Sequence, residues 1–333
     1  MSQFRTILPI PVSEKKINHQ DPILGIGSCF VENIGRLLAK YKFPFLLNPF
    51  GILYNPISIQ QSIEVLLKEE PFTQKDLVEN QGIWYSFAHH GSFSHPESAQ
   101  VLRQINQSLA QARIHLKTTK TVLITLGTAA VFVHKKTDKV VANCHKFPAT
   151  HFEKKQLSVE EIQTALKACV TQLKTTYPHI SIILTVSPVR HIRDGIIKSQ
   201  RSKAKLLLAA AQLEQTIPTV NYFPAYELMM DDLRDYRFYE KDLIHPNQQA
   251  IDYIWEAFKT TYFSAASLQL LIPIKKVLQA SQHRPFHHST AAHQRFIQQQ
   301  LQAIEKLEQQ HPFLNFAQEK LIFKEQQVSN EGK

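Results

Sequence analysis

Thr121-Val122-Leu123-Ile124-Thr125-Leu126 is an unbroken run of apolar and β-branched residues that stops at Gly127. A strand with one face in water alternates polar and apolar residues. A continuous run has to be covered on both faces, as in a parallel sheet layered between helices. Two further runs obey the same rule. Pro22-Ile23-Leu24-Gly25-Ile26 breaks on Gly27, and Ile180-Ser181-Ile182-Ile183-Leu184-Thr185-Val186 stops at Ser187-Pro188. Phe43–Leu47 adds a strand whose proline favours a sheet edge, and Ile217–Phe223 a last one. Stretches with apolar residues at helical spacing lie between them: Ile34, Leu37 and Leu38; Ile59, Ile63 and Leu66; Val101, Ile105 and Leu109. Another follows the helix start Ser158-Val159-Glu160-Glu161. The alternating order predicts an α/β fold built on one parallel sheet over residues 1–263.

Some segments interrupt that rhythm. Asn48-Pro49-Phe50-Gly51 and Tyr54-Asn55-Pro56 are turn signals. Val131–Val133 and Val140–Ala142 flank Lys135–Lys139 as a hairpin inserted after the central strand. Gly82–His90 reads as a short strand or an ordered loop rich in aromatic and imidazole groups. From residue 264 to 333 there is no strand candidate. The Gln-rich sequence there predicts a helical extension with a narrow seam of Ile297, Leu301, Ile304 and Leu307, suited to forming a homodimer, and a poorly ordered tail after Phe323.

Composition narrows the function. The formal charge is +10, but the basic residues are scattered and no groove-reading motif is present, so a specific nucleic-acid partner is not expected. Sixteen histidines form no metal-binding spacing with each other or with the three cysteines, and neither a metal nor another cofactor is expected. No apolar run reaches the ~18 residues of a membrane span. The first residues do not read as a signal peptide, and the cysteines lack CxxC spacing, so the expected location is the cytoplasm.

The chemistry collects at two places. Gly27-Ser28-Cys29 joins the first strand to a helix, setting a hydroxyl and a thiol at the edge of the sheet where α/β folds build sites. Lys241-Asp242-Leu243-Ile244-His245-Pro246 places a carboxylate three residues before an imidazole, close enough to fix its tautomer. Parallel strands bring both loops to one edge, so Ser28 is a candidate nucleophile, His245 its base and Asp242 the group that orients His245. Cys29 is the alternative nucleophile, since a thiolate is the stronger one at neutral pH.

Serine after the first strand with Asp-x-x-His near the end of the domain resembles the GDSL/SGNH hydrolase superfamily. Gly27-Ser28-Cys29-Phe30-Val31 resembles the signature of the GSCFA family within it. Asn48–Gly51, Tyr54–Pro56, Leu126–Ala129, Asn143–Lys146, Ser187–His191, Ser202-Lys203 and Asp235–Tyr239 are similar to that family too. The resemblance implies a flavodoxin-like three-layer α/β/α sandwich and an acyl-serine esterase acting on small-molecule or carbohydrate esters, O-acetyl esters among them. An acyltransferase with the same site, or a scaffold that has lost turnover, are the other readings. The superfamily's third block carries an oxyanion-binding asparagine where this chain has Ala129. Replacement donors are the Thr128 hydroxyl or, preferred, the Asn143 amide, with backbone N–H groups at Ser28 and Gly51. His89, His90, His145, Arg190 and His191 are candidate substrate contacts.

Overall fold

The computed structural model describes residues 6–287 and 289–327. In chain order the elements are β1 (Ile23–Gly27), α1 (Cys29–Lys40), β2 (Phe45–Leu47), α2 (Pro56–Leu67), β3 (Val78–Asn80), β4 (Ile83–Tyr85), α3 (Ser98–Thr118) and β5 (Thr121–Leu126). Then come β6 (Ala130–His134), β7 (Lys139–Val141), β8 (Phe152–Gln156), α4 (Val159–Thr176), β9 (Ser181–Val186), α5 (Ile196–Thr216) and β10 (Val220–Phe223). The short α6 (Ala225–Glu227), α7 (Gln248–Tyr262), α8 (Ala265–Ser281), α9 (Ala291–Gln310) and α10 (Ala317–Glu325) complete the chain.

The main sheet is parallel throughout, in the order β10-β9-β5-β1-β2. Every residue of β1 and β5 is buried, as unbroken apolar runs require. One face packs Val122, Ile124 and Leu126 against α2, α3, α4 and α5; the other packs Leu123 and Ile183 against α1 and α7. The result is the expected three-layer α/β/α sandwich. Local chemistry sets the helix starts. Asn55 accepts from the Ser58 N–H with Pro56 in the first turn, and Ser158 and Glu161 form a reciprocal capping box. The proline-bearing strand β2 is an edge.

Two small sheets go beyond the sequence reading. The inserted hairpin gains β8, giving a three-stranded antiparallel sheet β7-β6-β8. β4 pairs with β3. In the extension, α8, α9 and α10 enclose an apolar cluster of their own around Ile274, Ile297, Ile304, Phe316 and Phe323. Part of the tail expected to lack order is therefore helix: α10 runs to Glu325 and buries Phe323 completely, whereas residues 328–333 lie outside the described residues. Lys42 bonds both carboxylate oxygens of the buried Glu319 at 2.7 and 2.8 Å, tying α10 to the turn after α1. No helix among the described residues is long and apolar enough to cross a membrane.

Candidate active site

From β1 the chain steps outward to β2, then returns to β5 on the other side. The carboxyl ends of β1 and β5 therefore flank the point where strand order reverses, the usual binding crevice of such sheets. Gly27 ends β1 at φ +140°, and a Cβ there would stand 2.2 Å from the Thr125 carbonyl oxygen, so only glycine fits. Ser28 follows as the N-cap of α1, and Cys29 is the helix's first residue.

The two side chains sit differently. Ser28 is wholly buried, its Oγ has no hydrogen-bond partner, and its N–H donates to the Thr125 carbonyl at 3.0 Å. Cys29 is partly exposed. Burial raises its thiol pKa, opposed by the nearby Lys203 charge and by the N–H groups of Cys29 and Phe30.

Asp242 and His245 lie on the turn before α7. His245 Nδ1 meets Asp242 Oδ2 at 2.7 Å, while Asp242 Oδ1 accepts from the Ile244 and His245 N–H groups at 2.9 and 3.0 Å. Those backbone donors, the His245 N–H first, and then the imidazole hold the carboxyl at a pKa of about 2. The turn is exposed but well tied. Glu240 N–H donates to the His245 carbonyl, and Asn247 caps α7 while its amide donates to the Arg237 carbonyl.

His191 comes from the loop after β9. A Cβ on Gly127 would meet His191 Nε2 at 3.1 Å and Ser28 Cβ at 3.2 Å, so glycine here lets the imidazole and the serine approach each other. That Nε2 is buried without a partner, and the ring stands edge-on to Tyr54 at 5.2 Å. Burial, with smaller effects from Lys203 and His245, lowers its pKa to about 4, so it is neutral at pH 7. A cavity of about 250 Å³ opens beside it, walled by Tyr54, Thr128, Phe132, Val141, Lys154 and Arg193.

The other expected site residues divide by burial. His89 is 1% exposed, bonded to Ser86 and packed against Phe50, Phe72 and Phe93; its burial lowers its pKa to about 3. His145 is buried too, its Nε2 on the Ser86 carbonyl and its ring stacked on Tyr85. Both pack in the core beside the β3–β4 region. His90 is half-buried, and its ring accepts from the Ser92 N–H. Arg190 donates to the Tyr239 hydroxyl at 2.9 Å and stacks on that ring, bracing the loop that leads to Asp242.

Three of the four expected oxyanion donors have partners within the fold, whereas in Asn143 it is the carbonyl oxygen that is bonded. The Ser28 N–H has Thr125, and the Gly51 N–H donates to the Asn48 carbonyl at 2.7 Å. The Thr128 hydroxyl lies 3.1 Å from the Ser202 hydroxyl and accepts from the Ala130 N–H. The Asn143 carbonyl oxygen accepts from the His145 N–H, and its amide faces Gly91.

Two other residues stand in the family-like motifs but had no role assigned from sequence. Asn48, 7% exposed, accepts the Gly27 N–H at 2.9 Å through Oδ1, which fixes its orientation and leaves the Nδ2 donor without a partner. Its signal was an asparagine directly after the second strand. Lys203 is buried on α5 and donates to the Gly127 and Ser187 carbonyls at 2.7 and 2.6 Å, joining the ends of β5 and β9. Burial lowers its pKa to about 7.

Comparison with known proteins adds the following. No curated protein matches the chain. A solved structure described as "a putative platelet activating factor from Streptococcus pneumonia" is 14% identical, with 72% of this chain and 84% of that chain covered, at a TM-score of 0.37. The model described as GSCFA domain protein, C-terminal domain, matches residues 274–328. The GSCFA family model matches residues 22–258, most of the chain, and the protein therefore belongs to the GSCFA family.

Proposed function

We propose that the protein transfers acyl groups, most simply by ester hydrolysis, through a covalent acyl-enzyme formed at the head of α1. His245 is the general base and Asp242 orients it. The observation that carries this reading is the 2.7 Å bond from His245 Nδ1 to a carboxylate kept ionised by two backbone N–H groups. That bond holds the imidazole as the Nδ1–H tautomer and leaves Nε2 free to take a proton. The attacking atom belongs to the Ser28-Cys29 pair. As it adds to the ester carbonyl, Nε2 removes its proton, and the oxygen that becomes negative needs donors in a site closed to water. Asn48 Nδ2 and the N–H groups opening α1 supply them, and the helix dipole favours the charge. The imidazolium then protonates the leaving alcohol, and water attacks the acyl group with Nε2 again as base. An alcohol in place of water makes the same site a transferase.

The substrate class proposed for the test is a short acyl group such as acetyl on a small or carbohydrate alcohol. The test is hydrolysis of an aryl acetate by the whole chain. His245→Ala should lower turnover on the order of 10⁴-fold, as loss of a triad member does. Equal rates for wild type and His245→Ala would reject the reading and leave a scaffold that keeps the fold.

A further inference from the structure

We propose that the attacking atom is Cys29 Sγ, so that the covalent intermediate is a thioester and Ser28 is a structural residue. This rests on the acyl-transfer reading and sharpens it. Access is the first argument. Ser28 has no exposed surface and its Cβ lies close to Gly127, so a substrate carbonyl cannot reach Oγ without opening the end of the sheet. Cys29, one residue on, is partly exposed.

The surroundings give the second argument. The thiol heads a twelve-residue helix and lies against the N–H groups of Cys29 and Phe30. Lys203, fixed between two strand-end carbonyls, adds positive charge in its protonated form. These favour negative charge on sulfur, but burial outweighs them and the resting group is the thiol. It therefore needs a base at the moment of attack, and the imidazole held by Asp242 is one.

The third argument is independent of the cysteine. Asn48 Nδ2 is buried and unpartnered at the same strand end, beside Gly27. A buried donor left unbonded is costly, and makes sense where a substrate oxygen completes the bond.

The chemistry balances. Sulfur forms a C–S bond to the acyl carbon as its proton passes to His245. The C–O bond to the alcohol breaks and the alcohol leaves with that proton. Water then adds to the thioester, giving up a proton to His245; the carboxylic acid departs and the proton returns to sulfur.

The experiment is brief incubation of the full chain with an aryl acetate, acid quench, and tandem mass spectrometry of the peptide spanning Ser28 and Cys29. It is carried out in a Cys144→Ala background to remove a second partly exposed thiol. The expected result is acetyl on Cys29, absent in His245→Ala and released by neutral hydroxylamine. Cys29→Ala should lower turnover ~10³-fold or more, and Ser28→Ala less than about tenfold. Acetyl on Ser28, or normal turnover by Cys29→Ala while His245→Ala is inactive, overturns the thiol assignment and leaves the acyl-transfer reading standing. An active His245→Ala enzyme instead removes the reading on which the assignment rests.

Discussion

The head of α1 and the Asp242–His245 turn, the two regions that the proposed mechanism combines, are built in opposite ways. At the head of α1 Ser28 is buried and Cys29 only partly exposed, and three buried polar atoms there lack partners: Ser28 Oγ, Asn48 Nδ2 and His191 Nε2. On the turn the side chains are nearly half exposed, at 46% for Asp242 and 48% for His245, while both Asp242 oxygens and His245 Nδ1 are bonded. The buried half depends on sheet packing and holds unmet donors and acceptors for a ligand. The exposed half depends on its own short hydrogen bonds and presents one free nitrogen. Under the proposed mechanism the rigid side keeps the geometry and the exposed side the access to water.

Breaking the exposed half should give the largest effect. Asp242→Asn preserves size but replaces an acceptor with a donor facing Nδ1, and a loss of about 10⁴ in the catalytic constant is expected. The melting temperature should hardly move, because surface pairs contribute little to stability. Kinetics and thermal unfolding on one preparation check both statements.

Next comes the buried half. Asn48→Ala removes the unpartnered donor and should lower the catalytic constant roughly 10²–10³-fold, with little change in the Michaelis constant. The Gly27 N–H also loses its acceptor, so this variant should melt lower, as Asp242→Asn does not. Asn143→Ala, which removes only a turn contact, should leave the rate within a few-fold. Equal losses at the two asparagines would contradict the assignment of donors.

Acid should separate the halves with a smaller effect. Burial lowers the pKa of His191 and His19 to about 4 and that of His89 to about 3, below their ordinary 6.5. Between those values the unfolded chain binds more protons than the folded one, so stability rises with pH and is lost on acidification from 6.5 towards 4. Asp242 is shifted in the same direction, but its window lies lower. Its contribution is present above the ordinary carboxylate value and is lost only as pH falls through about 2. Melting temperature should therefore drop between pH 6.5 and 4, and His191→Asn should flatten the slope. A flat wild-type profile over that range would contradict the buried, neutral histidines.

The parts legible in sequence are those governed by burial and by local hydrogen bonds. Thr121–Leu126 announced a strand covered on both faces, and Pro44 an edge strand. Ser158 and Glu161 announced a helix start because a capping box is closed within three residues. β8 gave no such signal: of Phe152-Glu153-Lys154-Lys155-Gln156 only the phenylalanine is buried. Lys203, between arginine, serine and alanine, looks like a solvent residue until two strand ends supply its carbonyl partners. The hydrogen-bond partners of the expected oxyanion donors were illegible for a related reason. Loop N–H groups take backbone acceptors when one is near, and the Tyr54 carbonyl takes both Gly127 and Thr128. Imidazole groups beside aromatic residues suggested a cleft, whereas the stacks of His89 and His145 are core packing.

Pre-steady-state release of phenol from an aryl acetate tests the central claim most directly, because a burst counts acyl-enzyme formed at the head of α1. The account predicts a burst approaching one equivalent per chain when deacylation is the slower step, absent in His245→Ala. Phenol release by the wild-type chain no faster than buffer, with neither burst nor turnover, would contradict it.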